Sequence, residues 1–120
     1  MGKNTIKISG KNVIASIELV IYEEDGFHIA FAPAIDLSSY GNSLDNALEE
    51  FKVAISVYFD YTLKKSTLEK DLLALGWKIE KRRSRRFIPP TLDELKKKNN
   101  YIGHIMNQPN LIRQQISVPS

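Results

Sequence analysis

The sequence predicts an α+β fold, in which an antiparallel sheet of three to four strands carries one long helix on one face, with short helices and a C-terminal strand-like tail. Three features between Val13 and Tyr58 predict it. They are two alternating apolar segments joined by an acidic turn, a proline that ends the second segment, and a capped amphipathic helix. A chain of 120 residues with 42% apolar content can bury one modest core but is short for two ordinary domains.

The first strand is predicted from apolar residues at successive odd positions, namely Val13, Ala15, Ile17, Leu19 and Ile21. Residues 23–26 supply a turn, with Asp25-Gly26 where a hairpin requires positive φ. The second strand is predicted to continue the apolar face through Phe27, Ile29 and Phe31 and to turn His28 outward. Pro33 ends this strand, because a ring without an N–H cannot donate to a sheet ladder.

The long helix is predicted to start after Ser43 as N-cap, with Asp45 in its first turn. Apolar residues recur every three or four positions along it: Leu44, Ala47, Leu48, Phe51, Ala54, Ile55, Tyr58 and Thr62. We expect Leu48, Phe51, Ile55 and Tyr58 to pack onto Ile17, Leu19, Ile29 and Phe31. Phe59 falls off this stripe and is therefore predicted as an interface residue rather than a core residue.

The C-terminal half contains two predicted capping boxes, one from Ser66 to Glu69 and one from Thr91 to Glu94. Residues 77–81 alternate and predict a further strand, and residues 112–118 give a weaker strand pattern. The Pro89-Pro90 pair divides the chain into a sheet-plus-helix domain, residues 1–90, and an extension, residues 91–120, that is not an independent domain. We expect the extension to dock on the domain, and the chain to form a homodimer.

A resemblance to the HicB family of antitoxins rests on two short motifs. They are Asp25-Gly26-Phe27-x-Ile29-Ala30-x-x-Pro33-Ala34-Ile35 and Gly41-x-Ser43-x-x-x-Ala47, within a match over about residues 13–65. The resemblance implies a reduced ribonuclease H-like fold that binds and blocks HicA, a small RNA-cleaving toxin. The C-terminal third of the chain shows no convincing ribbon-helix-helix or helix-turn-helix pattern, the modules with which such antitoxins usually bind DNA.

The net charge of +3 is unevenly distributed along the chain. Residues 1–63 hold four Lys or Arg and nine Asp or Glu, a net charge of −5, whereas residues 64–120 hold thirteen and five, a net charge of +8. Under the HicB resemblance the acidic half would meet the basic toxin. The predicted partner-binding residues are therefore the acids at the turn and at the next loop: Glu23, Glu24, Asp25 and Asp36.

A second candidate surface is the basic run, six cations within nine residues: Lys78, Lys81, Arg82, Arg83, Arg85 and Arg86. Trp77 and Phe87 bracket this run, and interleaved aromatic and arginine side chains suit RNA stacking and phosphate contact. The same cations suit an acidic protein surface or a solvated loop. The function alternatives are thus an antitoxin or derived partner-binding module, an RNA- or DNA-binding module, and a small interaction domain without a toxin.

No catalytic or metal site is predicted. Glu18 on the first strand and Glu49 or Glu50 on the helix match ribonuclease H carboxylates by type, but the two helix acids lie off the apolar stripe. His28 and His104 have no ligand partners at metal-binding spacing, and the chain has no cysteine. We expect a binding protein rather than an enzyme, with no cofactor.

The cellular location is predicted from two absences in the sequence. No apolar run approaches the roughly eighteen residues that a membrane span needs. The N-terminal residues lack the apolar core of a signal peptide. We therefore expect a cytoplasmic protein that does not enter a membrane.

Overall fold

The computed structural model describes residues 3–81 and 85–119 and has the predicted α+β architecture. The strands are β1 (Thr5–Ser9), β2 (Asn12–Glu24), β3 (Phe27–Ala32), β4 (Leu37–Gly41), β5 (Lys78–Lys81), β6 (Arg85–Ile88) and β7 (Ile112–Val118). The helices are α1 (Leu44–Lys64), α2 (Leu68–Ala74), α3 (Leu92–Lys98) and α4 (Asn100–Met106). None of the helices within the described ranges is long and apolar enough to cross a membrane.

Strand β2 is the centre of a seven-stranded sheet, larger than the three to four strands predicted. Ser16 pairs with residues of both β1 and β7, and Val20 pairs with residues of both β3 and β7. Because a strand residue has one neighbour on each side, β7 runs along one side of β2, while β1 and β3 share the other. One wing of the sheet continues from β1 to β6 and β5, and the other continues from β3 to β4.

The register of the β2–β3 hairpin corrects the predicted face of β3. The loop has only two residues, Asp25 and Gly26, so that Ile21 pairs with Ala30. A two-residue loop pairs odd-numbered residues of one strand with even-numbered residues of the other. The face that carries the odd-numbered residues of β2 therefore carries the even-numbered residues of β3. Phe27, Ile29 and Phe31 lie on the face opposite Ile17 and Leu19, and the prediction that α1 packs on Ile29 and Phe31 is wrong.

The first core lies between the sheet and helices α1 and α2. The odd-numbered apolar residues of β2 are buried as predicted, and the small Ala30 and Ala32 of β3 let α1 approach the sheet. The buried residues of α1 are Ala47, Phe51, Ile55, Phe59 and Thr62. The prediction of Phe59 as an interface residue is wrong: its side chain is only 2% exposed and contacts the Tyr58 ring. The buried residues from Ala47 to Phe59 recur every four positions, so the buried stripe turns gradually around the helix. As a result Phe59, rather than Tyr58, faces the core at this end of α1.

The second core lies on the opposite face, under helices α3 and α4. It contains Val20, Tyr22 and Phe31 from the sheet and Leu95, Ile102 and Ile105 from the helices. Asn99 is extended and caps α4 by accepting a hydrogen bond from the Tyr101 N–H at 3.0 Å, so residues 92–106 form two helices rather than one continuous helix. Strand β7 then pairs with β2 of its own chain, which means that the C-terminal extension docks without a second protomer.

Two of the three predicted helix caps are present. The Ser43 hydroxyl accepts from the Asn46 N–H at 3.1 Å, and Thr91 and Glu94 form a reciprocal capping box. The predicted box at Ser66 is wrong, since Thr67 is the N-cap residue of α2 and its side chain makes no capping bond. Ser66 instead has a positive φ of 56° in the turn between α1 and α2.

Candidate functional site

The acidic turn at the end of β2 forms a tight corner of the molecule. Asp25 and Gly26 have φ values of 52° and 82°, the left-handed conformation that a two-residue hairpin needs. Neighbouring residues of a strand point to opposite faces, so Glu23 and Glu24 project on different sides of the sheet. We refer to Glu23, Glu24 and Asp25 as the acidic corner; all three residues are exposed.

On the α1 side, the corner is anchored to His28. Its Nε2 lies 3.1 Å from a Glu23 carboxylate oxygen, and its ring is 27% exposed. The Glu23–His28 pair lies two positions from the Ile21–Ala30 pair, and residues two positions apart on a strand share a face. His28 therefore lies on the face that carries α1. The prediction of His28 as an outward residue is therefore wrong, because the two-residue loop reverses the predicted faces of β3. Its Nδ1 is buried and has no hydrogen-bond partner within residues 3–81 and 85–119.

On the other side, the corner is anchored to helix α4. The Tyr101 hydroxyl donates a hydrogen bond to a Glu24 carboxylate oxygen at 2.9 Å, and this bond raises the pKa of Tyr101. Burial raises the pKa of the neighbouring Tyr22 to about 12, and the charges of Tyr101 and Glu24 add to the effect. Glu24 is thus held in place at the rim of the second core.

An exposed aromatic pair lies beside the acidic corner on this second side. The rings of Phe27 and Tyr40 are 5.7 Å apart and meet edge to face at 79°. The side chains remain 43% and 69% exposed, although an aromatic pair of this size ordinarily serves to bury area. Sequence reasoning missed this pair, because it placed Phe27 in the core and had no register for β4.

Asp36 does not join the acidic corner. It lies in the turn between β3 and β4 with a φ of 50°, at the end of β3 opposite to the hairpin. The six residues of β3 separate it from Asp25 by about 20 Å. The structure therefore brings three of the four predicted acids together and leaves the fourth apart.

The basic run forms the outer hairpin of the other wing. Lys78 and Lys81 are in β5 and Arg85 and Arg86 are in β6, whereas Arg82 and Arg83 lie outside the described residues. The two bracketing aromatics are core residues: Trp77 is 2% exposed and Phe87 is 5% exposed. The Trp77 Nε1–H donates to the Ala34 carbonyl at 2.7 Å. The proposed stacking of bases on these rings is therefore wrong.

Part of the sheet beside this hairpin is open to solvent. Ile14 in β2 is 52% exposed and Ile88 in β6 is 46% exposed. Lys7 pairs with Arg86 across β1 and β6, and Lys78 pairs with Ile88 across β5 and β6. By register these side chains share the face that α3 and α4 cover elsewhere, so this wing, the cationic wing, presents three cations and two isoleucines together with Glu80, which pairs with Arg86.

The acidic residues that resemble ribonuclease H carboxylates do not converge. Glu18 lies on the sheet face away from α1, with an oxygen 3.7 Å from Arg113 Nη1. Glu49 and Glu50 are exposed on α1, on the opposite side of the sheet. In the described part of the chain, no three His, Asp or Glu side chains are grouped closely enough to hold a metal ion.

Comparison of the chain with protein-family models, with curated proteins and with solved structures yields no match. The fold alone thus defines the class of protein, a single antiparallel sheet with helices on both faces. Its exposed features are the acidic corner with the Phe27–Tyr40 pair, the cationic wing and the outer side of α1.

Proposed function

We propose that the chain binds a small, basic, RNA-cleaving protein through the acidic corner and the Phe27–Tyr40 pair, as a HicB-like antitoxin or a derived partner-binding module. One observation carries the proposal: the two exposed aromatic rings lie on the same face of the sheet as Glu24, at the corner that also carries the exposed Glu23 and Asp25. Aromatic side chains at the centre of an interface supply most of its binding energy, and flanking charges supply orientation and speed of association.

The chemistry of such a partner explains the acidic charge. A protein that cleaves RNA must hold phosphates and is therefore cationic where RNA binds. An acidic corner attracts that surface and competes with RNA for it. Because Glu23 and Glu24 are each held by a side-chain contact, they present their charges with little loss of side-chain freedom on binding.

The local packing supports the family resemblance on which the identity of the partner depends. A β-carbon added at Gly41 would lie 2.6 Å from the Ala47 backbone nitrogen, and the Ser39 hydroxyl donates to the Ala47 carbonyl at 3.0 Å. The Gly41-to-Ala47 motif therefore joins β4 to the start of α1. The β2–β3–β4 meander with α1 is the arrangement that the HicB resemblance implies.

The proposal is tested by measuring association with a HicA-like ribonuclease encoded beside the gene. Adding the chain should inhibit RNA cleavage stoichiometrically. Charge reversal by Glu23→Lys and Glu24→Lys should slow association and weaken its salt dependence while the circular dichroism spectrum stays unchanged. A variant that associates as fast as the unmodified chain, or a chain that leaves cleavage unaffected, would contradict the proposal.

A matched pair of substitutions locates the contact. Asp25→Asn and Asp36→Asn each remove one negative charge at an exposed residue with positive φ, a conformation that Asn tolerates. If the acidic corner is the contact, Asp25→Asn slows association more than Asp36→Asn. Equal effects would indicate that only the overall charge of residues 1–63 matters.

The cationic wing favours a second candidate function, nucleic-acid binding. Lys7, Lys78 and Arg86 share one open sheet face with Ile14 and Ile88, and Glu80 is the acid that this face also carries. This function predicts RNA affinity that falls steeply with salt and is weakened by Lys7→Glu and Arg86→Glu. Salt-independent or undetectable RNA binding would eliminate it.

Binding rather than catalysis is proposed because no motif positions a base or nucleophile. Metal-dependent RNA cleavage by the chain alone, lost on Glu18→Gln, would overturn this part of the proposal. A partner that cleaves cellular RNA would also place the protein in the cytoplasm, as the sequence predicts.

A further inference from the structure

The outward side of α1 carries an apolar stripe that the fold does not use. Val53, Val57 and Tyr61 follow one another at four-residue intervals, and their side chains are 62%, 60% and 60% exposed. Four-residue spacing aligns side chains along one side of a helix. The outward side of a surface helix is ordinarily polar, so three aligned apolar residues indicate a contact surface.

Opposite charges lie at the two ends of this stripe. Glu49 and Glu50 precede it, and Lys64 and Lys65 follow it, all four exposed. Glu50 and Lys64 are about 21 Å apart along the helix, too far to form an ion pair within one chain. We define the outer ridge of α1 as Glu50, Val53, Val57, Tyr61 and Lys64.

We propose that the outer ridge is the interface of a two-fold homodimer in which the two α1 helices pack antiparallel. If Val57 lies on the two-fold axis, two residues that face each other across the interface have numbers that sum to 114. Val53 then meets Tyr61 of the partner subunit, and Glu50 meets Lys64 of the partner subunit.

The charge pattern of the outer ridge favours a second copy of the chain as its binding partner. A two-fold axis repeats the Glu50–Lys64 pairing, so the antiparallel register yields two Glu–Lys contacts, one at each end of an apolar centre. A parallel pairing would set glutamates against glutamates and lysines against lysines, which is unfavourable. The surface is thus complementary to itself in one orientation only.

The proposed dimer leaves the Phe27–Tyr40 pair free, since the outer ridge lies on the other side of the sheet. The self-association is therefore independent of the proposed function. A contact made by one helix from each protomer falls at the small end of protein interfaces. We expect a dissociation constant on the order of tens of micromolar.

The first test is sedimentation of the full chain from about 10 to 300 µM, with Val57→Asp as the disrupting variant. Val57→Asp places two carboxylates at the two-fold axis and should weaken the dimer at least about tenfold. Leu73→Asp is the control, because Leu73 is also an apolar helix residue and is 48% exposed, but lies on α2. A chain that stays monomeric throughout, or a dimer that Val57→Asp leaves intact or Leu73→Asp weakens equally, would overturn the proposal.

A charge-swap series tests the register. Glu50→Lys and Lys64→Glu should each weaken the dimer, and the double variant Glu50→Lys/Lys64→Glu should restore it. Mixing the two single variants should also give a dimer tighter than either alone, because each mixed pair brings Lys against Glu. Failure of the double variant to recover association would contradict the antiparallel register.

Discussion

At the residue scale, side chains two positions apart on α1 have opposite roles. Phe51 is fully buried between the helix and the sheet, whereas Val53 is 62% exposed on the outer ridge. The face of a helix that a residue occupies, rather than its hydrophobicity, thus decides whether it contributes to the core or to the exposed surface.

Truncating Phe51 should destabilise the fold strongly. Phe51→Ala removes a fully buried ring and leaves a cavity, for which we expect a loss of about 3–5 kcal/mol in the free energy of unfolding, measured by urea denaturation. Val53→Ala, the exposed control, should change that free energy by less than about 0.5 kcal/mol. A loss under about 1 kcal/mol for Phe51→Ala would contradict the packing of α1 on the sheet.

Tyr58 should make the fold sensitive to alkaline pH. Burial raises the pKa of Tyr58 from 10.0 to about 12, with a further contribution from Asp71. The folded chain therefore holds the phenolic proton more tightly than the unfolded chain, so this stabilisation is complete below pH 10 and is lost as the pH rises to about 12. Tyr58→Phe should reduce the alkaline loss of stability.

At neutral pH, Tyr58→Phe should cost little. The Tyr58 hydroxyl is buried and has no hydrogen-bond partner among the described residues, so its removal leaves no partner unsatisfied. Thermal unfolding measured from pH 7 to pH 12 checks both expectations. An identical alkaline decline in the variant and the unmodified chain would show that Tyr58 is not the group responsible.

At the element scale, the join between β4 and α1 depends on a residue without a side chain. A β-carbon at Gly41 would lie 2.5 Å from Asn46 Oδ1 and 2.6 Å from the Ala47 backbone nitrogen. The side chain can move aside, but the helix backbone cannot do so without displacing α1. Gly41 is therefore required by the packing of the two elements.

A pair of glycine substitutions separates packing from backbone flexibility. Gly41→Ala should destabilise the fold by about 1–3 kcal/mol, as overpacking does. Gly103→Ala should instead stabilise it by up to about 1 kcal/mol, because Gly103 lies inside α4 with open space around its α-carbon. Denaturation midpoints check both signs, and a neutral Gly41→Ala would contradict the close approach of β4 to α1.

The sequence correctly predicts a turn and two helix caps that depend on residues close together in the chain. The Asp25-Gly26 turn, the Ser43 cap and the Thr91–Glu94 capping box each depend on residues within three or four positions of one another. The parity of β3 was missed, although it follows from loop length alone. The pairing of β7 with β2 joins residues about a hundred positions apart, which no local pattern encodes.

At the scale of the whole molecule, the two faces of the sheet separate two surfaces. The outer ridge of α1 lies on one side, and the Phe27–Tyr40 pair lies on the other, next to α4. The acidic residues of the corner could be predicted from the sequence because they are consecutive. The aromatic pair could not, because it arises from the register between β3 and β4.

Two similarly exposed tyrosines allow a direct test of the central claim, that the partner binds at the acidic corner. Tyr40 is 69% exposed beside the acidic corner, and Tyr61 is 60% exposed on the outer ridge. The measurement is the dissociation constant for the HicA-like ribonuclease, determined for Tyr40→Ala and Tyr61→Ala under the same conditions. We predict that Tyr40→Ala weakens binding by at least about tenfold, as loss of an interface anchor does, and that Tyr61→Ala changes it by less than about twofold. Equal affinities for the two variants, or a larger loss for Tyr61→Ala, would contradict the assignment of partner binding to the acidic corner.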